Sequence, residues 1–425
     1  MNAIKSYFRL SVIFKVTQIS IIFGFLSSIS IAAHALDAVA YYSDKNSNRI
    51  FIIDPRNMSL VDEITTAGDD PYPIDKVSGN KVYVTTRESE SLDIVNYDGI
   101  NFSNTGVIPL THKPRSVTYN PSANLAAVSG TKKAVMSIID VSTDTVIGTV
   151  GNTTVQAPSD FGGSLATGHP FWVDSDQFLL IDRARREVHL YKIKNTGWSG
   201  WKIRKQHTIS TPTSIHHFSG VPNATSYFQK RIFYGMAEGA PNEGKQPSVE
   251  RIFITGNRIY KIGSAILEGA PASDMGSHHL GMHPNKVHIY AGSKEGIVHV
   301  INRYTMNTLT KIPAGANSGH TTFNAASGIA TQTNHRDDFM TLIDMNSHAL
   351  INTVTIASSP TPSGNLAQSH TTSFDPQNAG VYYTAAADDG NYVEVDAVSG
   401  AVTRTLPLGL DTSYTIQGTY NWNLQ

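Results

Sequence analysis

From residue 36 onward the apolar positions fall in short alternating runs. Val, Ile, Tyr, Phe and Thr recur at every second residue and are broken by Gly, Asn, Asp and Pro. That period predicts half-buried strands joined by turns, and no stretch has the 3.6-residue spacing of an amphipathic helix. The runs repeat as a unit. One copy reads Pro-Arg-Ser-Val-Thr-Tyr-Asn-Pro at 114–121, then Leu-Ala-Ala-Val, Met-Ser-Ile-Ile-Asp-Val and Thr-Val-Ile-Gly-Thr-Val. Others open on His-His-Leu-Gly-Met-His-Pro at 278–284 and His-Thr-Thr-Ser-Phe-Asp-Pro at 370–376. Four strands in about 40 residues is one blade of a β-propeller.

Complete units start near Pro71, His112, His169, His216, His278, His320 and His370. The leading segment, Val39 to Thr65, has three strands only, and the C-terminal run Ser413 to Trp422 has no outer strands of its own. Together they supply one more blade. The sequence therefore predicts an all-β protein, a single β-propeller of eight blades, with the ring closed by the C-terminal strand joining the N-terminal blade. Seven blades is the alternative, because Ile215 to Leu267 carries a Gly/Pro/Asn-rich insertion that aligns poorly.

Residues 1–35 read as a secretory signal. Lys5, Arg9 and Lys15 form a basic start, Ile19 to Ala32 a mostly apolar run, and Ala33-His34-Ala35 a small-x-small cleavage pattern. The apolar run is shorter than the roughly 20 residues a membrane span needs. The expected product is residues 36–425, periplasmic or secreted, with no membrane span once the signal is removed. Composition sharpens this: 33 Lys+Arg against 34 Asp+Glu leave no basic footprint for nucleic acid. The absence of Cys excludes disulfide frameworks, iron–sulfur clusters, thiolate metal sites and Cys nucleophiles, and it fits an oxidising compartment.

Sixteen His in such a chain redirect attention to the repeat register. The innermost strand of each blade starts at the mouth of the central channel, and the loop between the two middle strands reaches the same face. The inner-strand starts hold His169, the pairs His216–His217 and His278–His279, then His320 and His370. Middle-strand loops of the same units add Asp182, Glu238, Glu295, His335 and Asp388. Convergent imidazoles with no thiolates suit a transition metal, copper before zinc by the affinity order for nitrogen ligands. Only one member of each pair need face the axis, because successive strand residues point to opposite faces. The remaining His, among them His189, His283, His288, His299 and His348, read as packing or solvent-facing residues, and His112 is displaced from the register by Arg115. The blades without His carry Tyr72, Arg115 and Tyr414 near that slot, with Arg87 and Lys132 in their loops. Arg87, Arg115 and Lys132 are thus candidate catalytic cations that would hold a small anionic or polar substrate beside the metal.

Val82-Tyr83-Val84-Thr85-Thr86 and the frame of residues 137–149 resemble the bacterial periplasmic propellers named after their Tyr-Val-Thr-Asn (YVTN) repeat. That resemblance implies the fold and says little of function. A ring of histidines at the axis resembles, in arrangement, the catalytic propeller of nitrous-oxide reductase and the thiocyanate dehydrogenases, where imidazoles from successive blades bind copper. It also resembles the periplasmic propeller zinc metallochaperones. The chain lacks the cupredoxin domain of the first and the His-rich flexible loop of the last. Three roles follow as expectations: a copper-dependent oxidoreductase with a soluble electron carrier as partner, a zinc or copper carrier with a metal-transport partner, and a metal-free binding scaffold.

Overall fold

The computed structural model describes residues 39–45, 47–155, 165–271, 279–360, 368–409 and 417–422. The predicted signal segment, His278 and Tyr414 lie outside the described residues.

The described residues form eight four-stranded antiparallel sheets, each an ordered meander from innermost to outermost strand. The first joins Gln417–Trp422 to Val39–Asp44, Arg49–Asp54 and Ser59–Thr65, so both ends of the described chain share one blade. The innermost strands of the next seven are Pro71–Ser78, Pro114–Asn120, Phe171–Trp172, Ile215–Gly220, Leu280–Met282, Ser318–Asn324 and Ser373–Asp375. The protein is an eight-bladed β-propeller, as the repeat predicted. The insertion that blurred the count sits within blade 5. It is the excursion between Ile215–Gly220 and Ile232–Ala237, with one short helix, Tyr227–Arg231, started by the Ser226 hydroxyl accepting from Gln229 N. No helix among the described residues is long and apolar enough to cross a membrane.

Alternation decides where the core lies. A blade buries both faces of its middle strands, so Arg49–Asp54 and Lys133–Asp140 read as nearly unbroken apolar runs, while outer strands such as Ala349–Thr355 alternate with solvent. Eight hydrophobic clusters fill the eight seams between neighbouring blades. Val39, Tyr41, Ile50 and Ile52 of blade 1, for instance, meet Val82, Val84 and Val95 of blade 2. The closing seam is of the same kind: Ala40, Tyr42, Phe51 and Ile53 pack on Tyr383, Ala385 and Tyr392 of blade 8. Tyr383 stacks on Tyr392 at 5.8 Å, and Tyr42 meets Tyr392 edge-on at 5.2 Å. Aromatic pairs of this geometry add about 0.5–1.5 kcal/mol each beyond area burial.

Removing residues 410–425 strips Val39–Asp44 of its inner partner and leaves one blade with three strands in a ring of four-stranded blades. The expected outcome is a lower urea midpoint for the whole β-signal in far-UV circular dichroism, and an unchanged midpoint would sink the closure.

Candidate functional site

A local departure from strand geometry positions the site residues. In blades 2, 3, 5 and 7 the innermost strand starts with one residue more than its neighbour. Pro114 pairs with Gly130 and Ser116 with Ser129, leaving Arg115 extra; Ile215 pairs with Ala237 and His217 with Met236, leaving His216 extra. The same slip brackets Tyr72 and His320, and in blade 4 it falls between the Thr167–Asp182 bridge and the Phe171–Leu179 pair, around His169. Such bulges re-aim a side chain at the rim of a sheet. Tyr72, Arg115, His169, His216 and His320 therefore occupy one repeated bulge.

Seven imidazoles from five consecutive blades form a continuous array. His169 stands 5.0 Å from His216 and 5.1 Å from His279 between ring centroids, and His216 is 5.1 Å from His279. His217 joins at 4.8 Å from His279. Both members of the first pair thus face the array, against the expectation from strict alternation, because the bulge turns His216 inward. His279 and His320 approach to 3.7 Å, and His320 then neighbours His370 at 4.7 Å and His335 at 5.9 Å. Two sets of three are tight enough to share an ion: His169, His216 and His279, and His320, His335 and His370, each with one ligand atom per residue within 4.8 Å of the others. Of the predicted histidines only His278 is not placed.

Backbone and hydroxyl contacts fix these rings. His169 N donates to the His216 carbonyl at 2.9 Å, tying blade 4 to blade 5. The buried Thr333 hydroxyl accepts from His320 N at 2.8 Å and donates to the His370 carbonyl at 3.1 Å. Gly319 is a cradle for His335. A Cβ there would stand 1.9 Å from Nε2 of His335, a distance no side chain tolerates.

Around the first triad lies a chain of charge. His216 Nδ1 is 2.8 Å from Glu238 Oε1, and Glu238 Oε2 forms a buried ion pair with Arg183. A carboxylate on Nδ1 places the proton there and leaves the lone pair on Nε2, the arrangement that orients a ligating imidazole. Arg115 Nη2 lies over the His216 ring, 2.9 Å from Nε2 and 3.3 Å from Nδ1, and its Nη1 donates to the Thr167 carbonyl. Burial, then the nearby Arg183, push the Arg115 guanidinium below its ordinary value, though a guanidinium stays cationic at neutral pH.

The cationic sector forms only in part. Arg87 lies over the Tyr72 ring at 4.3 Å and faces Asp70 at 3.8 Å. Lys45, which the sequence reading missed, covers the same ring at 4.5 Å, pairs with Asp70 at 3.4 Å and is lowered to about 8 by burial and Arg87. Burial holds the Tyr72 phenol protonated. Lys132 is exposed, and its charge acts on Glu88 beside the Lys113–Glu88 ion pair, so its place is the outer rim. Of the predicted acids, Glu238 joins the array. Glu295 instead faces His299 at 3.6 Å, and Asp182 groups with Glu187 and His189 across its own hairpin turn. Asp388 donates its backbone N–H to Gln368 Oε1 at 2.8 Å.

The seam between blades 6 and 7 holds a second histidine group. His283, His288 and His348 stand 4.4–6.0 Å apart, with the Tyr290 hydroxyl 2.7 Å from His348 Nδ1. Burial lowers all three, and their mutual repulsion adds for His283 and His348.

No family model and no curated protein matches the chain. Solved structures do match in fold. Dihydro-heme d1 dehydrogenase NirN in complex with DHE superposes at a TM-score of 0.61 and 14% identity, over 93% of this chain and 77% of that one. Apo AztD from Citrobacter koseri gives 0.55 at 10% identity, over 90% and 98%. A protein of unknown function from Desulfotomaculum acetoxidans gives 0.52 at 10%, over 74% and 94%. At these identities the likeness is one of fold, and the site has to be argued from its own residues.

Two outcomes test this geometry. Gly319→Ala forces His335 from its cradle, so the second triad loses a candidate ligand while the fold persists. Zn2+ titration of the variant is expected to show about tenfold weaker binding or more at one class of site, and unchanged binding would remove His335 from the site. The second concerns acid. Burial lowers His112 to about 4 and keeps His283, His288 and His348 below their ordinary value, whereas the unfolded chain takes up these protons near 6.5. The stability they contribute is complete above pH 6.5 and is lost as pH falls toward 4. The urea midpoint is expected to drop between about pH 7 and about pH 5, with a shallower drop in His348→Gln; equal slopes would count against the seam.

Proposed function

We propose that this chain is an exported propeller that binds transition metal through the histidine array at its channel mouth, and that it is a metal-dependent redox enzyme acting on a small anionic or polar substrate. The observation that carries this is the pair of three-imidazole sets joined through the 3.7 Å contact of His279 and His320. One tetrahedral ion is satisfied by four ligands. Seven imidazoles across adjoining sets suit two or more ions with open positions. Glu238 on His216 Nδ1 supplies the outer-shell carboxylate that metal-bound imidazoles usually have. Copper is favoured because neutral nitrogen donors follow the affinity order that peaks at Cu(II).

The residues have distinct parts in this reading. His169, His216, His279, His320, His335 and His370 hold metal, and His217 lies within reach of the first set. Bound metal would supply one-electron chemistry. Arg115, Arg87 and Lys45 would draw a small anion to the adjoining sector, with the Tyr72 hydroxyl as a proton donor. Electrons would leave to a soluble carrier. A zinc carrier is the second reading, favoured by one feature: each triad alone is already a three-imidazole zinc site with a fourth position open.

Elemental analysis of untagged protein isolated from the periplasm separates the readings. Two or more coppers per chain with a visible absorption band would support the enzyme. One exchangeable zinc that passes to an apo-acceptor would refute it in favour of the carrier, and no metal, even after reconstitution, would leave only a binding scaffold. His320→Ala with His370→Ala is expected to abolish binding at the second set, whereas His299→Ala is not. Binding weakens as pH falls through the imidazole range near about 6.5, because a ligating nitrogen must give up its proton.

A further inference from the structure

We propose that Arg183 is a positioning residue of the first triad: by holding Oε2 of Glu238 it keeps Oε1 on His216 Nδ1, and so decides which nitrogen of that imidazole is presented to a metal. The inference rests on the metal-binding reading above and goes beyond it in assigning the orientation of a blade 5 ligand to a loop of blade 4.

His216 needs such support because it occupies the bulge. Its strand pairs through Ile215 with Ala237 and through His217 with Met236, so no residue directly opposite on the ladder fixes the His216 side chain. Contacts from two sides do so instead. Arg115 Nη2 covers one face of the ring, 2.9 Å from Nε2 and 3.3 Å from Nδ1. Glu238 Oε1 takes the edge, 2.8 Å from Nδ1. A carboxylate that accepts there requires the proton on Nδ1 and leaves the lone pair on Nε2.

Glu238 also reaches Arg115, whose guanidinium its charge stabilises, and a carboxylate free to turn would favour that cation over a neutral imidazole. Arg183 prevents the turn. Its Nη2 forms an ion pair with Oε2, and with the two residues only 3% and 4% exposed water does not compete for the contact. Arg183 is itself tied down, its Nη1 donating to the Leu165 carbonyl at 3.0 Å and its backbone N to the Ala166 carbonyl at 3.0 Å. The Arg183 carbonyl accepts from the Ser214 hydroxyl at 2.7 Å, and the Ser214 carbonyl accepts from Glu238 N at 3.0 Å. Ser214 stands two residues before His216. The side-chain row His216–Glu238–Arg183 is thus closed through the backbone, and blades 4 and 5 hold the ligand between them.

The tautomer of His216 and a Zn2+ titration of the full chain test this together. In metal-free protein at about pH 8, where imidazoles are neutral, nitrogen-15 spectra of the histidine-labelled chain are expected to show His216 protonated at Nδ1. Its signals are assigned by their loss in His216→Gln. In Arg183→Met the two tautomers are expected to mix, and Zn2+ affinity at one class of site to fall about tenfold or more. Glu238→Ala is expected to lose at least as much, and Arg183→Met added to it to change nothing further, because Arg183 acts through Glu238. Arg183→Lys keeps the charge but not the planar fork that serves Leu165 and Glu238 together, so it is expected to lie between wild type and Arg183→Met. The second class of site, from His320, His335 and His370, reports that each variant is folded and must keep its affinity. Wild-type affinity and an undisturbed tautomer in Arg183→Met would overturn the proposal, as would an equal loss from Arg183→Met with and without Glu238. If Arg183→Met loses the second class too, Arg183→Lys carries the test, and wild-type affinity with an undisturbed tautomer there overturns it. A wild-type chain that takes up no Zn2+ and no Cu2+ would instead overturn the metal reading, while the tautomer spectra still read the Arg183 contact.

Discussion

A regular strand sends successive side chains to opposite faces, and Tyr72, Arg115 and three of the seven array histidines enter the site by breaking that rule at one repeated place. The extra residue at the start of the innermost strand turns a side chain that would lie in a blade seam toward the axis. In blade 5 it brings both His216 and His217 within reach of His279. Because the bulge recurs, the chemistry around the channel mouth is set by which residue occupies it: phenol in blade 2, guanidinium in blade 3, imidazole in blades 4, 5 and 7. The bulge holds its shape because each seam behind it is a closed apolar cluster, the blade 8 to blade 1 seam included.

Electrostatics makes the array asymmetric. Imidazoles 3.7–6.0 Å apart gather on one side of it. On the opposite side Arg87 and Lys45 share the Tyr72 face and one carboxylate, Asp70. Arg115 lies between the two sectors. It belongs by position to the rank of bulge residues and by contact to the first triad. Arg183 and Glu238 behind His216 complete a buried row in which two guanidinium groups share a single carboxylate.

The repeat was legible because period-2 strands and turn residues are local signals, and the missing fourth strand of the first unit pointed to its C-terminal complement. The histidines were legible because the register repeats: His320 and His370 open nearly the same short motif, and their rings do stand together. His335 and Glu238 could be named as neighbours from the geometry of middle-strand loops. The bulge could not, since a one-residue slip shows only when two strands are paired. That is why His216 and His217 read as alternatives when both rings stand beside His279. Lys45 escaped notice because it lies in a middle-strand turn of the one blade assembled from both chain ends, and the exposure of Lys132 could not be read from its loop position. His283, His288 and His348 looked unrelated for the same reason: a seam between blades gathers residues that no sequence spacing links.

Preorganisation then separates this site from one that metal must build. Several of these residues are held by contacts independent of any ion: the Thr333 hydroxyl between the His320 and His370 backbones, the Gly319 cradle under the His335 ring, the Glu238 carboxylate on the His216 ring and the backbone tie from His169 to blade 5. The entropy of collecting ligands from five blades is met by folding of the ring, so little of a metal's binding free energy would go into ordering protein. A site of that kind binds tightly and imposes its own geometry, which suits retained metal better than cargo to be released.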